Sequence, residues 1–281
     1  MSTVYRIDLG SPALLEFCGP DAVRFLNGQL TQDVRRVVAG KISLSSCVTD
    51  AKGKLQFRVI LTAVADDTLW IAGPSGSEEA LAARLTRYLI ADDVETADLT
   101  GRYTLCHFTG PVAEPPLGVI ARESNRFGSP GNDWWIPADQ MIRFPDDVVL
   151  MEGDALETLR IDRGIPAWGS ELVEGLLPPE AALEETDISY QKGCYIGQEV
   201  ISRIKSAGKV NKRLARLAFP TEAPLVLGPL VNVEGAAVGE LTSISPQSVG
   251  GHRHALGYVK RGHTEVFFKA AAGAIYPATL L

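Results

Sequence analysis

The amino-acid sequence predicts an α+β fold that ends in an all-β portion. Two observations carry this. Over the first hundred residues, short strand candidates alternate with helices through tight hairpins, a texture that suits a layered α+β arrangement better than a doubly wound sheet. Beyond Leu214 the helical spacing stops, and short alternating segments separated by Gly, Pro and Asn read as a small barrel or sandwich of about 70 residues.

Taken in order, residues 13–18 read as a strand and Gly19-Pro20-Asp21 opens a helix whose apolar face is Val23, Leu26 and Leu30. Residues 42–48 and 55–64 read as strands paired around the turn Asp50-Ala51-Lys52-Gly53, with a further strand over 68–72. Ser75 and Glu78 have capping-box spacing ahead of a helix carrying Leu81, Leu85 and Leu89. Strands are predicted over 94–97 and 103–108, and the Gly- and Pro-rich stretch 111–145 gives no clear assignment. A helix is expected from Asp154 to Arg163, with Asp154 and Glu157 placed to cap it and Gly164 to stop it. In the all-β portion the clearest alternation lies at 237–244 and 255–260.

Composition narrows the function classes. At 281 residues the chain exceeds one typical domain, and 46% hydrophobic with 22% charged residues supports a sizeable core. A formal charge of −7 disfavours a broad basic surface for nucleic acid. Cys18, Cys47, Cys106 and Cys194 lie far apart, without C-x-x-C or zinc-like spacing. The first ten residues lack the apolar stretch of a signal peptide, and no run approaches the about 18–20 apolar residues of a membrane helix. Free thiols in a reducing cytoplasm are the expected setting.

The most informative run is Lys192-Gly193-Cys194-Tyr195-Ile196-Gly197-Gln198-Glu199. Val200, Ile201 and Ile204 follow at helical spacing, so Cys194 is expected just ahead of a helix N-terminus, beside the Lys192 ammonium. Helix dipole and ammonium both favour thiolate, which predicts a lowered thiol pKa. The residues alone equally allow a small packed cysteine in a tight turn.

Every position of K-G-C-[FY]-x-G-Q-E is present, and by this motif the chain resembles the YgfZ family, folate-binding relatives of the glycine-cleavage T-protein (GcvT). Other segments are similar in order. Gly28-Gln29-Leu30-Thr31-Gln32-Asp33-Val34 resembles the family's G-Q-[LV]-T-x-D-V block, and Asp50-Ala51-Lys52-Gly53-Lys54 its D-A-K-G-K turn. The run 160–166 resembles R-[IL]-E-A-G-[IFL]-P, and Val238-Gly239-Glu240-Leu241-Thr242-Ser243 resembles a V-G-x-V-T-S barrel strand.

The resemblance implies a T-protein-like ring of two α/β (ferredoxin-like) units plus a C-terminal β-barrel. The expected bounds are 1–45 with 110–205 for a folate-binding unit, 46–109 for the second unit and 212–281 for the barrel. It also implies a tetrahydrofolate-binding accessory protein that supports assembly or repair of iron–sulfur enzymes through one functional thiol, Cys194, with Lys192 beside it. Reduced folate is the expected cofactor, with iron–sulfur enzymes or assembly proteins as transient partners and neither nucleic acid nor membrane. The alternative is a folate-dependent aminomethyltransferase. In the T-protein a carboxylate follows the D-A-K-G-like turn and activates the folate. Here the stretch is Leu55-Gln56-Phe57-Arg58, without one, which argues against transfer.

The T-protein's pterin-binding glutamate falls on Asp162, whose carboxylate can accept paired N–H donors. Arg160, Tyr195 and Gln198 belong to the same motifs, and Trp168 is placed to stack on a ring. No acidic residue occurs between Glu199 and Glu222, whereas Arg203, Lys205, Lys209, Lys212, Arg213 and Arg216 do. Lys209 and Arg213 are expected to meet a polyglutamyl folate tail, unless the run is only a solvated face. His252 and His254 are expected in a barrel hairpin loop rather than a metal site, and Trp134-Trp135 in packing.

Overall fold

A computed structural model describes residues 3–110, 112, 114–208, 210–271 and 273–281. The chain divides into two compact units, Met1–Met151 with Glu184–Ser202, and Glu152–Leu183 with Arg203–Leu281.

The first unit is built on two five-stranded sheets. Strand β1 (Val4–Gly10) is followed at once by β2 (Ala13–Cys18), yet the two lie in different sheets. Gly10, at φ +69, and Pro12 make the break between them. One sheet has β2 beside β5 (Thr68–Gly73) and β6 (Glu95–Asp98), with β4 (Leu55–Ala63) and β3 (Ser43–Thr49) beyond β5. The other takes β1, β7 (Tyr103–Phe108), β8 (Ile120–Ser124), β9 (Gly131–Pro137) and β10 (Val148–Leu150), in the order β10-β1-β7-β9-β8. Residues 13–45 therefore share a sheet with 46–98, whereas the expected bounds joined them to 110–205.

Strand β2 shows why its sequence is apolar nearly throughout. Its odd-numbered Leu15 and Phe17 pack under helices α1 (Ala22–Gln29), α2 (Val34–Gly40) and α3 (Glu78–Thr86), against Leu26, Val37 and Leu81. Its other face puts Leu14 with Trp70, Leu105 and Trp135. Glu16, on that face, accepts the Trp70 indole N–H at 2.9 Å. A strand buried on both sides cannot alternate with polar residues. Trp134 and Trp135 are packed on opposite faces of β9, as expected for structural aromatics.

The capping box at Ser75 is not formed. Helix α3 starts after Ser77, whose hydroxyl donates to the Pro74 carbonyl at 2.6 Å, while Ser75 donates to Ser11 O at 3.3 Å. Each hydroxyl is turned to donate to a nearby carbonyl instead of accepting from a helix N–H group.

The second unit is a closed six-stranded barrel in the order β11-β14-β13-β12-β15-β16, with helix α4 (Gly153–Asp162) and a 3-10 turn (Pro178–Ala181). Its strands are β11 (Lys212–Pro220), β12 (Gly228–Val231), β13 (Ala237–Val249), β14 (His252–Lys260), β15 (Val266–Lys269) and β16 (Ile275–Leu280). Leu217, Phe219, Leu230, Leu241, Val259 and Phe268 fill it. Neither Asp154 nor Glu157 caps α4, because Glu157 turns instead to Arg160. The hairpin turn before β14 is Gly250-Gly251; His252 and His254 belong to the strand itself.

Candidate functional site

Three of the sequence blocks meet in the first unit, and hydrogen bonds join them. Helix α1 ends at Gln29 and α2 begins at Val34, so the carbonyls of the connecting residues have no helical partner. Lys192 supplies one: its buried ammonium donates to Asn27 O at 2.6 Å, Leu30 O at 2.6 Å and Gln32 O at 2.7 Å. Thr31 Oγ1 donates to Asp187 O at 2.7 Å and accepts Cys47 N–H at 2.9 Å. Ser189 N–H bonds Thr31 O and Ile196 N–H bonds Gly28 O.

The 50–54 turn closes the assembly from the other side. Asp50 Oδ1 accepts the N–H groups of Lys52 and Lys54, which fixes the turn. Thr49 Oγ1 donates to Ile196 O at 2.6 Å. Gly197, at φ +88, lies so close that a Cβ would fall 2.6 Å from Asp50 O and 2.9 Å from Gly53 Cα. Both its backbone angle and its space exclude any other residue.

The result is an open cleft of about 630 Å³. Cys194 through Glu199 form one side, with Gln29, Ala51 and Tyr88 opposite. Cys194 is exposed, whereas Cys47 and Cys106 are buried and Cys18 is half-buried. Burial pushes both buried thiols up, and Cys106 also donates to Asp8 Oδ1 at 3.2 Å. Tyr195 packs with Ile188 and Ile201 and is likewise pushed up by burial. Gln198 begins helix α5 (Gln198–Ala207) and lines the cleft.

Lys192 does not act as expected. All three of its N–H bonds are occupied by carbonyls in the interior, so the ammonium is an anchor for the loop rather than a partner of the thiol. Burial pulls it down to about 7, with Asp33 opposing. The carbonyls oppose it too, since a neutral amine keeps only two N–H bonds for three acceptors.

Two residues were missed by sequence reasoning. Arg84 donates to Gln56 Oε1 at 2.6 Å, Gln29 Oε1 at 2.9 Å and Thr49 O at 2.7 Å. It thus occupies the neighbourhood of the absent carboxylate and turns the Gln29 amide so that its N–H groups are left for the cleft. Its position three residues after Leu81, on the buried face of α3, was the available signal. The second is Asp187, fully buried and paired with Arg58 at 2.7 and 3.1 Å.

The remaining candidates lie in the second unit. Arg160 has five N–H donors and all are in use: two on Glu157, and one each on Ile165 O, Glu171 and Ser243. None is left for a cofactor, and Arg160 joins α4 to the barrel instead. Asp162 Oδ1 accepts from His254 Nδ1 at 2.9 Å and lies 3.7 Å from Arg216, leaving the carboxylate partly exposed. Trp168 is 39% exposed. Arg213 lies on β11, and Lys209 is outside the described residues. Among the described residues no three His, Cys, Asp or Glu side chains are grouped to hold a metal ion. No described helix is long and apolar enough to cross a membrane.

Residues 2–127 match the GCVT N-terminal domain. The tRNA-modifying protein YgfZ of Pectobacterium carotovorum is 29% identical over 243 residues, covering 74% of this chain and 68% of that protein. The chain is a YgfZ-like relative of GcvT. The mitochondrial aminomethyltransferase of Mesembryanthemum crystallinum is 24% identical over 289 residues, covering 89% of this chain and 70% of the relative. A putative chloroplastic transferase of Arabidopsis thaliana is 37% identical over 116 residues, but the match spans only 26% of its length. The crystal structure of the glycine cleavage aminomethyltransferase T of Bartonella henselae superimposes with a TM-score of 0.82 at 20% identity, over 99% of this chain and 85% of that one. The YgfZ-like chain thus has the GcvT fold, including the six-stranded barrel.

Proposed function

We propose that the protein binds tetrahydrofolate and supports assembly or repair of iron–sulfur enzymes, with Cys194 as its functional thiol. The observation that carries this reading is the exposed Cys194 on a cleft whose walls are the three family motifs, held by Lys192, Thr49 and Thr31. The cleft fits a folate in size, being within the roughly 300–1,000 Å³ of small-molecule sites. It fits in chemistry too. Tyr88 offers an exposed aromatic ring, and the Gln29 and Gln198 amides offer hydrogen bonds to a flat heterocycle. In the second unit, Asp162 and Trp168 are the alternative proposed pterin contacts, by the resemblance to the T-protein, and Lys209 with Arg213 the proposed contacts of a polyglutamyl tail.

A lone thiol cannot hold a cluster that takes about four ligands. Its role is therefore transient ligation shared with a partner, or attack of its thiolate on a partner's disulfide, which breaks that S–S bond, forms a mixed disulfide and releases the partner's other sulfur as thiolate. Cells carrying Cys194→Ala are expected to lose activity of cluster-dependent enzymes; full activity overturns the role of the thiol. Calorimetric titration with tetrahydrofolate is expected to show binding to the wild type and weaker binding to Asp162→Ala.

Aminomethyl transfer is the second reading, supported by the aminomethyltransferase relatives. The stretch 55–58 has no carboxylate, and Arg84 and Gln56 bond each other there, so that stretch supplies no general base. Sustained formation of methylene-tetrahydrofolate from an aminomethyl donor would restore this reading.

A further inference from the structure

We infer that the barrel carries a separate binding site for a small multivalent anion, at the Lys212 end of the β11–β14 ladder. The register sets Lys212 directly opposite Lys260, and Arg261 N–H bonds Asn211 O just beyond the last pair. A cleft of about 310 Å³ opens there, lined by Lys212, Arg213, Lys260, Arg261 and His263, with no acidic side chain among the described residues of its walls. Sequence placed only the first two of these in one basic run. The antiparallel pairing brings the other three from some 50 residues away along the chain.

Like charges directly opposite on neighbouring strands repel, so an uncompensated lysine pair works against the barrel. The structure holds both ammonium groups with neutral partners. Lys212 Nζ lies 4.3 Å from the centroid of the Tyr258 ring, and Lys260 Nζ donates to Ala237 O at 2.9 Å. Among the described residues, Lys212, Lys260 and Arg261 form no ion pair with a carboxylate, although the chain has 34 acidic residues against 27 basic ones. A concave site lined by one sign of charge focuses the field and concentrates counter-ions. Lysines act on an anion as point charges, and an arginine adds a fork that matches planar or tetrahedral oxyanions. The volume sits at the lower end of small-ligand sites, which suits a compact anion bearing phosphate or carboxylate groups. This site shares no lining residue with the Cys194 cleft, but it includes Arg213, so its tri-γ-glutamate arm rests on the polyglutamyl-tail reading above while its tripolyphosphate arm does not.

The test is calorimetry at low salt on the full chain, with inorganic tripolyphosphate in one arm and tri-γ-glutamate in the other. One probe or both should bind at one per chain and weaken as KCl is added, and the arm that binds identifies the oxyanion. The double variant Lys260→Gln, Arg261→Gln should lose at least tenfold in affinity. Without probe it should melt at the same temperature as wild type or higher, because the repelling pair is gone. Cys194→Ala should bind as wild type does. Failure of both probes, unchanged affinity in the double variant, or loss of binding in Cys194→Ala overturns the inference.

Discussion

The surroundings of Cys194 and of Arg160 solve one problem in opposite ways. Each region buries cationic side chains. Around Arg160 the charge is answered by carboxylates, Glu157 and the fully buried Glu171. Burial pulls that guanidinium down, but the two glutamates outweigh it and the net shift is upward. Around the Cys194 cleft, Lys192 and Arg84 bond only carbonyl and amide oxygens, and burial leaves both shifted downward. The lesson is about charge. Arg160 belongs to a joint neutralised by carboxylates, whereas Lys192 and Arg84 under the cleft are bonded by dipoles, with no carboxylate in hydrogen-bond contact among the described residues.

Breaking the neutralised joint should cost most. Arg160→Met leaves Glu171 buried without its partner, and a loss of about 3–5 kcal/mol is expected in urea denaturation. Lys192→Met strands three carbonyls but also removes a buried charge, so a smaller loss of about 2–3 kcal/mol is expected by the same measurement. Lys192→Arg should not restore it, since a planar fork cannot meet three converging acceptors.

A third cluster sharpens the contrast through pH. Asp133 is fully buried between Arg126 and His107. Burial raises its pKa, but the charge of Arg126 and the His107 bond outweigh this and hold it at about 2, below the ordinary 3.8. With the folded value depressed, its contribution of about 2 kcal/mol is complete above pH 4 and disappears as pH falls through 2. Melting temperature followed from pH 5 to pH 2 should fall more steeply in wild type than in Asp133→Asn. The smallest effect is expected for Arg84→Met, about 1–2 kcal/mol, because its partners are neutral amides and no buried carboxylate loses a counter-charge. Its clearer mark should be weaker tetrahydrofolate binding in calorimetry, as Gln29 loses its fixed orientation.

Much of the fold was legible because patterns encode it. The strand β2 followed from its short apolar run, the Leu81–Leu85 helix and the alternating barrel segments from periodicity, and the blocks at 28–34, 50–54 and 192–199 from motif. What joins those blocks was not legible. Lys192 bonds backbone carbonyls, which every residue carries, so no side-chain pattern marks its target. It was placed beside the thiol because it is near in sequence, and the empty acceptors after α1 drew it inward instead. Arg160 looked like a ligand contact within a motif, yet its five donors meet Glu157, Ile165, Glu171 and Ser243, the last from a distant barrel strand. Register likewise hid the lysine pair of β11 and β14.

The unequal exposure of the four cysteines has a practical corollary. In the native protein a maleimide should modify a single position rapidly, with Cys18 following slowly and the two interior sulfurs reacting only on denaturation. A fluorophore or spin label could therefore be placed at Cys194 of the unmodified sequence, reporting directly on whatever enters that hollow.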